Sequence, residues 1–182
     1  MTELFKKMPE LLFSISSITR AMRAGEREGE KYNFITREKF EDMLKNDRLL
    51  EHNEFVGNYY GTPREPVERA VANGQDMVIE VDVNGAAQIR EKMPEAVSIF
   101  IMPPSFAELK RRLSGRGTES EELIQKRLAS ALGEIKRAVE YDYIVVNKDI
   151  AAAADNIMSV ILSSRLKTDR QTKIIDEVLS EC

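Results

Sequence analysis

The spacing of apolar residues along the chain predicts strands that alternate with helices. Short, nearly continuous apolar runs are typical of buried parallel strands, and they occur at 11–16, 76–82, 96–104 and 141–147. Stretches with helical spacing or helix end signals follow these runs, at 37–46, 63–74, 83–94, 105–113, about 119–140 and 150–180. This order favours an α/β fold, a parallel sheet flanked by helices.

A second group of strands is shorter and more polar. Residues 32–36 alternate between apolar and polar side chains, and 49–63 reads as two short strands around a turn at Gly57 and Asn58. The preceding stretch, 18–31, is rich in Arg, Gly and Glu and predicts an exposed loop. The strands within 32–62 therefore predict a lobe inserted into the α/β core.

Bulk composition narrows the class of protein. A chain of 182 residues, 42% hydrophobic and 32% charged, predicts one soluble domain, and no apolar run reaches the roughly 20 residues of a membrane span. Cys182 is the only cysteine and His52 the only histidine, which argues against a disulfide, a zinc site or a Ser-His-Asp centre and suits the cytoplasm. The net charge of −4 argues against nucleic-acid binding.

Three polar residues near the end of the first predicted strand suggest an anion site. Ser16, Arg20 and Arg23 lie there, where open α/β sheets place ligands. Two guanidinium groups and a hydroxyl suit one phosphate, because arginine donates paired hydrogen bonds and stays charged. A solvated basic loop is the alternative interpretation.

The inserted lobe carries four more candidates: Tyr32, Glu51, Tyr60 and Thr62. Tyrosine hydroxyls can donate to a phosphate. A carboxylate such as Glu51 can accept two N–H bonds from the edge of guanine, which adenine does not offer. Taken singly, each residue also fits a polar position on a half-exposed sheet.

Two acids, Glu80 and Asp82, end the second predicted buried strand and alternate with valines, so they are expected to share one face. Buried acids need a cation or hydrogen-bond donors opposite them. A Mg²⁺ shell, a base edge or a structural bridge to an arginine would each supply these.

Further along, Arg112, Arg116 and Arg127 flank a segment that contains Gly115 and Gly117. Arginines on a closing lid can stabilise charge during phosphoryl transfer, and glycines permit the bending. A helix-end loop with surface charge is the alternative.

Together these segments resemble guanylate kinase. SISSITRAMRAGEREGEKYNF is similar to the family's GMP-phosphate segment, and LLEHNEFVGNYYGTP to its base-and-phosphate lobe. VIEVDVNGAAQI, IFIMPPS, LKRRLSGRGTESEELIQKRL and YDYIVVN follow in the family's order, so the resemblance covers about residues 3–168. It implies a P-loop-kinase-like fold in a single domain at 1–182, with a GMP lobe at 18–64, a lid at 114–128 and a core elsewhere.

The resemblance also implies a role for each candidate. Arg20, Arg23, Tyr32 and Tyr60 are expected to hold the GMP phosphate. Guanine is expected to contact Ser16, Glu51, Thr62 and Asp82, with Glu80 beside them. ATP and the transferring group are expected to meet Arg112, Arg116 and Arg127, with Asn147 near the adenine. Mg²⁺ is implied with ATP, with no dedicated protein metal site, and Ile18 replaces a threonine common in the family.

One departure from the family concerns the donor phosphates. Guanylate kinases carry a Gly-rich loop ending in Gly-Lys-Ser/Thr, whereas the first glycine here is Gly25 and no Gly-Lys pair occurs. The family's first, mid-sheet strand and this loop are therefore expected to be missing, as in a shortened fragment, a misplaced start codon or a shortened gene. Two hypotheses follow: a guanylate kinase with little activity as this chain alone, or a non-catalytic module that binds GMP or a phosphorylated peptide.

Overall fold

The computed structural model describes residues 1–114 and 121–181. Its strands, in chain order, are β1 (Leu12–Phe13), β2 (Ser16–Ile18), β3 (Tyr32–Phe34), β4 (Leu49–Phe55), β5 (Asn58–Pro63), β6 (Met77–Val78), β7 (Ile99–Met102) and β8 (Tyr143–Val146). Its helices are α1 (Thr2–Lys7), α2 (Arg37–Lys45), α3 (Arg64–Ala72), α4 (Val83–Lys92), α5 (Phe106–Ser114), α6 (Glu121–Lys136), α7 (Ile150–Arg165) and α8 (Thr172–Ser180), with 3₁₀ turns at Arg137–Glu140 and Thr168–Arg170. The predicted α/β class is confirmed.

The chain divides into two compact units. The first spans Glu10–Ala96, and the second combines Met1–Pro9 with the described residues from Val97 onward. Each unit contains a pair of parallel strands, β1 with β6 in the first and β7 with β8 in the second. Among the described residues, no helix is long and apolar enough to cross a membrane. The predicted limits of the lobe and lid stay predictions.

A mixed four-stranded sheet in the first unit corresponds to the predicted insertion. Its order is β3-β2-β5-β4, with β2 parallel to β3 and the other pairs antiparallel. The hairpin between β4 and β5 turns at Val56 and Gly57, which have φ values of 50° and 71°. Two consecutive positive φ angles suit a two-residue hairpin turn, and Val56 adopts its angle at a steric cost that glycine does not bear.

Apolar side chains fix this sheet against its helices. Phe40 of α2 is fully buried and stacks on the ring of Tyr59, with centroids 5.1 Å apart. Leu50, Val67 and Ile89 form a buried cluster that joins β4, α3 and α4. Deleting a side chain of this kind typically costs about 2–5 kcal/mol of stability, so this packing holds the polar residues of β4 and β5 in place.

Two predicted strands end earlier than expected. The run 11–16 divides between β1 and β2, which belong to different sheets, and the run 76–82 pairs only at Met77 and Val78. A ladder is only as long as its partner strand, and β1 offers two residues. A continuous apolar run predicts that a segment is buried, but it does not predict how long the partner strand is.

The second unit is built on β7 and β8, which pair over four residues from Ile99 with Tyr143 to Met102 with Val146. Asp142 fixes their start, because its carboxylate accepts from both the backbone N–H and the hydroxyl of Ser98, at 2.7 Å each. Helices α5 and α7 follow these strands, capped by Ser105 and Asp149. The strand ends and these helix starts thus lie in one unit with the predicted ATP residues.

Candidate functional site

Strand pairing brings the predicted phosphate ligands together. Ser16 of β2 pairs with Tyr32 of β3, and Ile18 of β2 pairs with Tyr60 of β5. Arg20 follows β2 directly, so residues up to 44 positions apart in sequence lie within one part of the first unit. Strand pairing thus brings residues that are scattered in the sequence into one sheet, and their role in binding phosphate stays a prediction.

Arg20 is the most constrained of these ligands. Its Nη1 and Nη2 donate to the two carboxylate oxygens of Glu26, at 2.7 and 2.5 Å, and Nη1 also donates to the carbonyl of Ala21 at 3.0 Å. Its guanidinium carbon lies 5.4 Å from the ring centroid of Tyr32 and 5.5 Å from that of Phe34. Only 12% of the side chain is exposed, so this is not the solvated loop of the alternative interpretation.

Glu26 was not among the predicted site residues. Hydrogen bonds from Arg20 and from the backbone N–H of Arg23 lower the pKa of Glu26 to about 2, and the same contact with Glu26 raises the pKa of Arg20. The nearby Tyr60 hydroxyl also raises the pKa of Arg20. The side chain of Arg23 is exposed, and the contact with Glu26 is made by its backbone. A regular Arg-x-x-Arg-x-x-Glu spacing is the signal that could have pointed to Glu26.

Glu51 and Thr62 form a buried polar pair. They are cross-strand partners of β4 and β5, exposed by 6% and 0%, and the Thr62 hydroxyl donates to Glu51 Oε1 at 2.7 Å. Burial raises the pKa of Glu51, the nearby charge of Asp82 adds to this, and the Thr62 bond opposes it. This is not the half-exposed position of the alternative interpretation.

The other Glu51 oxygen lies against the start of α4. A Cβ placed on Gly85 would come within 2.8 Å of Glu51 Oε2. Glycine therefore lets the helix backbone approach the carboxylate closely. Gly85 was not predicted as a site residue, and only the fold reveals its contact with Glu51.

Asp82 serves first as the N-cap of α4. Its Oδ1 accepts from the backbone N–H groups of Asn84 and Gly85, at 3.0 and 2.8 Å, and its Oδ2 accepts from the Asn53 side chain at 2.8 Å. The prediction that Glu80 and Asp82 are buried at a strand end is wrong, because the strand stops at Val78 and both acids are exposed. No desolvation cost therefore demands a cation beside them.

A second cluster lies in the other unit. Arg112 Nε donates to Glu108 Oε1 at 2.8 Å, and Arg112 Nη2 donates to the carbonyl of Asn147 at 2.9 Å. Arg111 donates twice to the same carboxylate, and these contacts lower the pKa of Glu108 to about 2. A pocket of about 580 Å³ is lined by these four residues together with Lys148, Asp149 and Ile150. The structure thus brings Arg112 and Asn147 together, and their roles toward ATP stay predictions.

Arg127 and Arg116 are the other two arginines predicted for the lid. Arg127 lies on α6 and is half-buried. Arg116 and the lid residues 115–120 lie outside the described residues. Within the described ranges, no group of three or more His, Cys, Asp or Glu side chains could hold a metal ion.

Comparisons with known proteins agree with one another. The family model described as "Guanylate kinase" matches residues 1–164. A guanylate kinase of Desulfitobacterium hafniense (strain Y51) is 44% identical over 97% of this chain and 88% of its own length. That of Escherichia coli (strain K12) is 47% identical over 92% of this chain and 81% of its own. The crystal structure of guanylate kinase from Anaplasma phagocytophilum is similar with a TM-score of 0.77 and 38% identity, over 93% of this chain and 84% of that one.

Proposed function

Because the chain belongs to the guanylate kinase family of phosphotransferases, we propose that its site serves the phosphorylation of GMP by ATP, giving GDP and ADP. The observation that carries the proposal is the buried Glu51 with its Thr62 partner. A buried carboxylate is unfavourable unless donors face it, and guanine presents adjacent N–H donors on one edge. Adenine presents an acceptor in that place, so Glu51 selects the base.

The acceptor nucleotide is held at both ends. Arg20, Arg23, Tyr32 and Tyr60 take its phosphate, while Ser16, Thr62 and Asp82 join Glu51 at the base, with exposed Glu80 at the margin. The phosphate role is supported by the guanidinium of Arg20, whose position is already held by Glu26 and by the ring of Tyr32 before a ligand binds.

The donor nucleotide is assigned to the second unit. Arg112, Arg116 and Arg127 address the ATP phosphates and the transferring group, and Asn147 lies near the adenine. These arginines act by positioning and by stabilising charge, without a covalent intermediate. Mg²⁺ accompanies ATP in the proposal. The ion would reach the site with the nucleotide, bound to its phosphate oxygens.

One feature of the sequence lowers the activity that we expect of the isolated chain. No Gly-Lys pair is present to supply the lysine that bridges donor phosphates. We therefore expect this polypeptide to bind GMP well, to bind ATP weakly and to turn over slowly when purified alone. The same observation supports the second candidate, a module that binds GMP without catalysis.

Isothermal titration calorimetry tests the proposal directly. The chain is titrated with GMP, with AMP as the matched ligand that changes only the base, and then with ATP and Mg²⁺. We expect GMP to bind at least about tenfold tighter than AMP, because adenine lacks the adjacent N–H donors that guanine offers to Glu51. Equal binding of GMP and AMP refutes the base-reading role. GDP formation in a coupled assay separates the kinase from the non-catalytic module.

A further inference from the structure

Glu26 contacts both the guanidinium of Arg20 and the backbone of the loop that follows it. It accepts from both terminal nitrogens of Arg20 and from the backbone N–H of Arg23, at 2.7 Å for the last. Its own backbone N–H donates back to the carbonyl of Arg23 at 3.1 Å, which closes a turn. Gly25, with φ of 85°, allows the chain to double back at this point. One carboxylate therefore fixes both the guanidinium and the loop that carries it.

The donors left on Arg20 define where a phosphate can approach. A guanidinium has five N–H groups. Glu26 and the carbonyl of Ala21 engage three of them, two on Nη1 and one on Nη2. The Nε–H and the second Nη2–H point to the same side of the plane and form a fork of their own. This side fork matches two oxygens of a phosphate.

Two aromatic rings restrict the rotation of the guanidinium. Tyr32 and Phe34 lie in near-perpendicular contact, with centroids 6.1 Å apart, and Arg20 lies over both. The guanidinium is therefore flanked by the two rings and paired at its end with Glu26, and both contacts limit its movement.

We infer that Glu26 is a positioning residue for the acceptor phosphate. It occupies the end of Arg20 so that the side fork faces the ligand. This inference rests on the proposed function, since it assumes that Arg20 binds the phosphate of GMP. Glu26 itself does not touch the phosphate.

The alternative roles of Glu26 predict effects of different sign. If Glu26 occupied the position that the phosphate needs, or only repelled it, removing its charge would tighten GMP binding. If Glu26 orients Arg20, removing its charge weakens GMP binding, although a negative charge has been taken away. A role in folding alone would lower the melting temperature without discriminating between ligands.

The test compares Glu26→Gln with wild type and with Glu30→Gln. Glu30 is an exposed carboxylate of the same loop, and its partner is Arg27 rather than Arg20. We expect Glu26→Gln to raise the Kd for GMP about five- to tenfold, because the neutral amide oxygen of glutamine accepts more weakly from Arg20 than the carboxylate does. Competition titration with guanosine, which lacks the phosphate, is expected to change less than about twofold in both variants. Glu26→Asp keeps the charge but shortens the reach, and an intermediate Kd is expected.

Each remaining outcome is decisive. Unchanged or tighter GMP binding by a folded Glu26→Gln overturns the positioning role. Equal losses for GMP and guanosine assign Glu26 to general loop structure and overturn it as well. Failure of the wild type to bind GMP refutes the proposed function first, and the inference that depends on it falls with it.

Discussion

Gly85 offers the sharpest test of the base-reading site. The substitution Gly85→Ala adds a single methyl group at the start of α4, 2.8 Å from Glu51 Oε2 and 3.0 Å from the Cβ of Val81. Ordinary contact begins at 3.4 Å, so the carboxylate must retreat by about 0.6 Å. The φ angle of Gly85 is not positive, and alanine therefore adds no backbone strain.

That retreat acts on the hydrogen bond between Glu51 and Thr62. The bond is 2.7 Å long, and a shift of this size along it weakens it substantially. The same displacement would lengthen the proposed bonds from guanine to Glu51. A charge-assisted bond contributes about 1.5–3 kcal/mol, so losing half of one such bond to guanine corresponds to about three- to tenfold in affinity for GMP. Alanine offsets much of the effect on folding, because it is better than glycine in a helix by up to about 1 kcal/mol. We therefore expect GMP binding to fall while stability changes little.

The measurement pairs calorimetric Kd values for GMP with urea unfolding. Gly133→Ala is the matched control, because Gly133 also lies in a helix, is exposed, and a Cβ there meets nothing within 4 Å. We expect this control to gain about 0.5–1 kcal/mol of stability and to keep its GMP affinity. If Gly85→Ala binds GMP within about twofold of wild type, the placement of Glu51 against α4 does not govern base recognition.

Other residues give independent tests. Glu51→Gln should weaken GMP binding at least about tenfold. Burial raises the pKa of Glu51 above 4.5, so the wild type should lose stability relative to this variant as the pH rises from about 4.5 through the folded pKa. Urea unfolding at several pH values measures this loss. Asp82→Asn should keep the cap of α4 and Asp82→Ala should lose about 1 kcal/mol in urea unfolding, while calorimetry shows weaker GMP binding for both; equal stability of the two contradicts the capping role. The pKa of Glu108 is lowered to about 2, so its ion pairs with Arg111 and Arg112 stabilise the protein above about pH 4.5 and are lost as the pH falls towards 2. Acid unfolding followed by circular dichroism should therefore be less steep in Glu108→Gln than in the wild type.

Helix positions were predictable because their signals are local. The start of α2 is marked by Thr36, whose hydroxyl accepts from the backbone N–H of Lys39, and α5 starts in the same way at Ser105. Each cap lies within three residues of the group it satisfies, so sequence alone contains both partners. Strand ends such as Val78 depend on the length of a partner strand elsewhere in the chain, and the apolar run 76–82 does not encode it.

The sequence predicted which residue types form the candidate site better than it predicted their burial and their neighbours. Strand register places Tyr32 beside Ser16 and Tyr60 beside Ile18, and composition does not contain this register. Burial of Glu51 follows from packing around β4 and α4, and a half-exposed position was the equally open interpretation. Glu80, by contrast, is exposed. The continuous apolar run predicts a longer buried strand than the one that forms.

The two arginine clusters show why acids that hold an arginine in place escape sequence analysis. Glu26 and Glu108 each lie three to six residues from the arginines they hold, and such mixtures usually mark a solvated surface. Geometry separates the two cases. Arg20 lies close to two aromatic rings as well as being paired, and its side chain is 12% exposed, whereas the side chain of Arg112 is 36% exposed. Water competes more strongly at the exposed pair, so removing Glu26 should disturb its arginine more than removing Glu108.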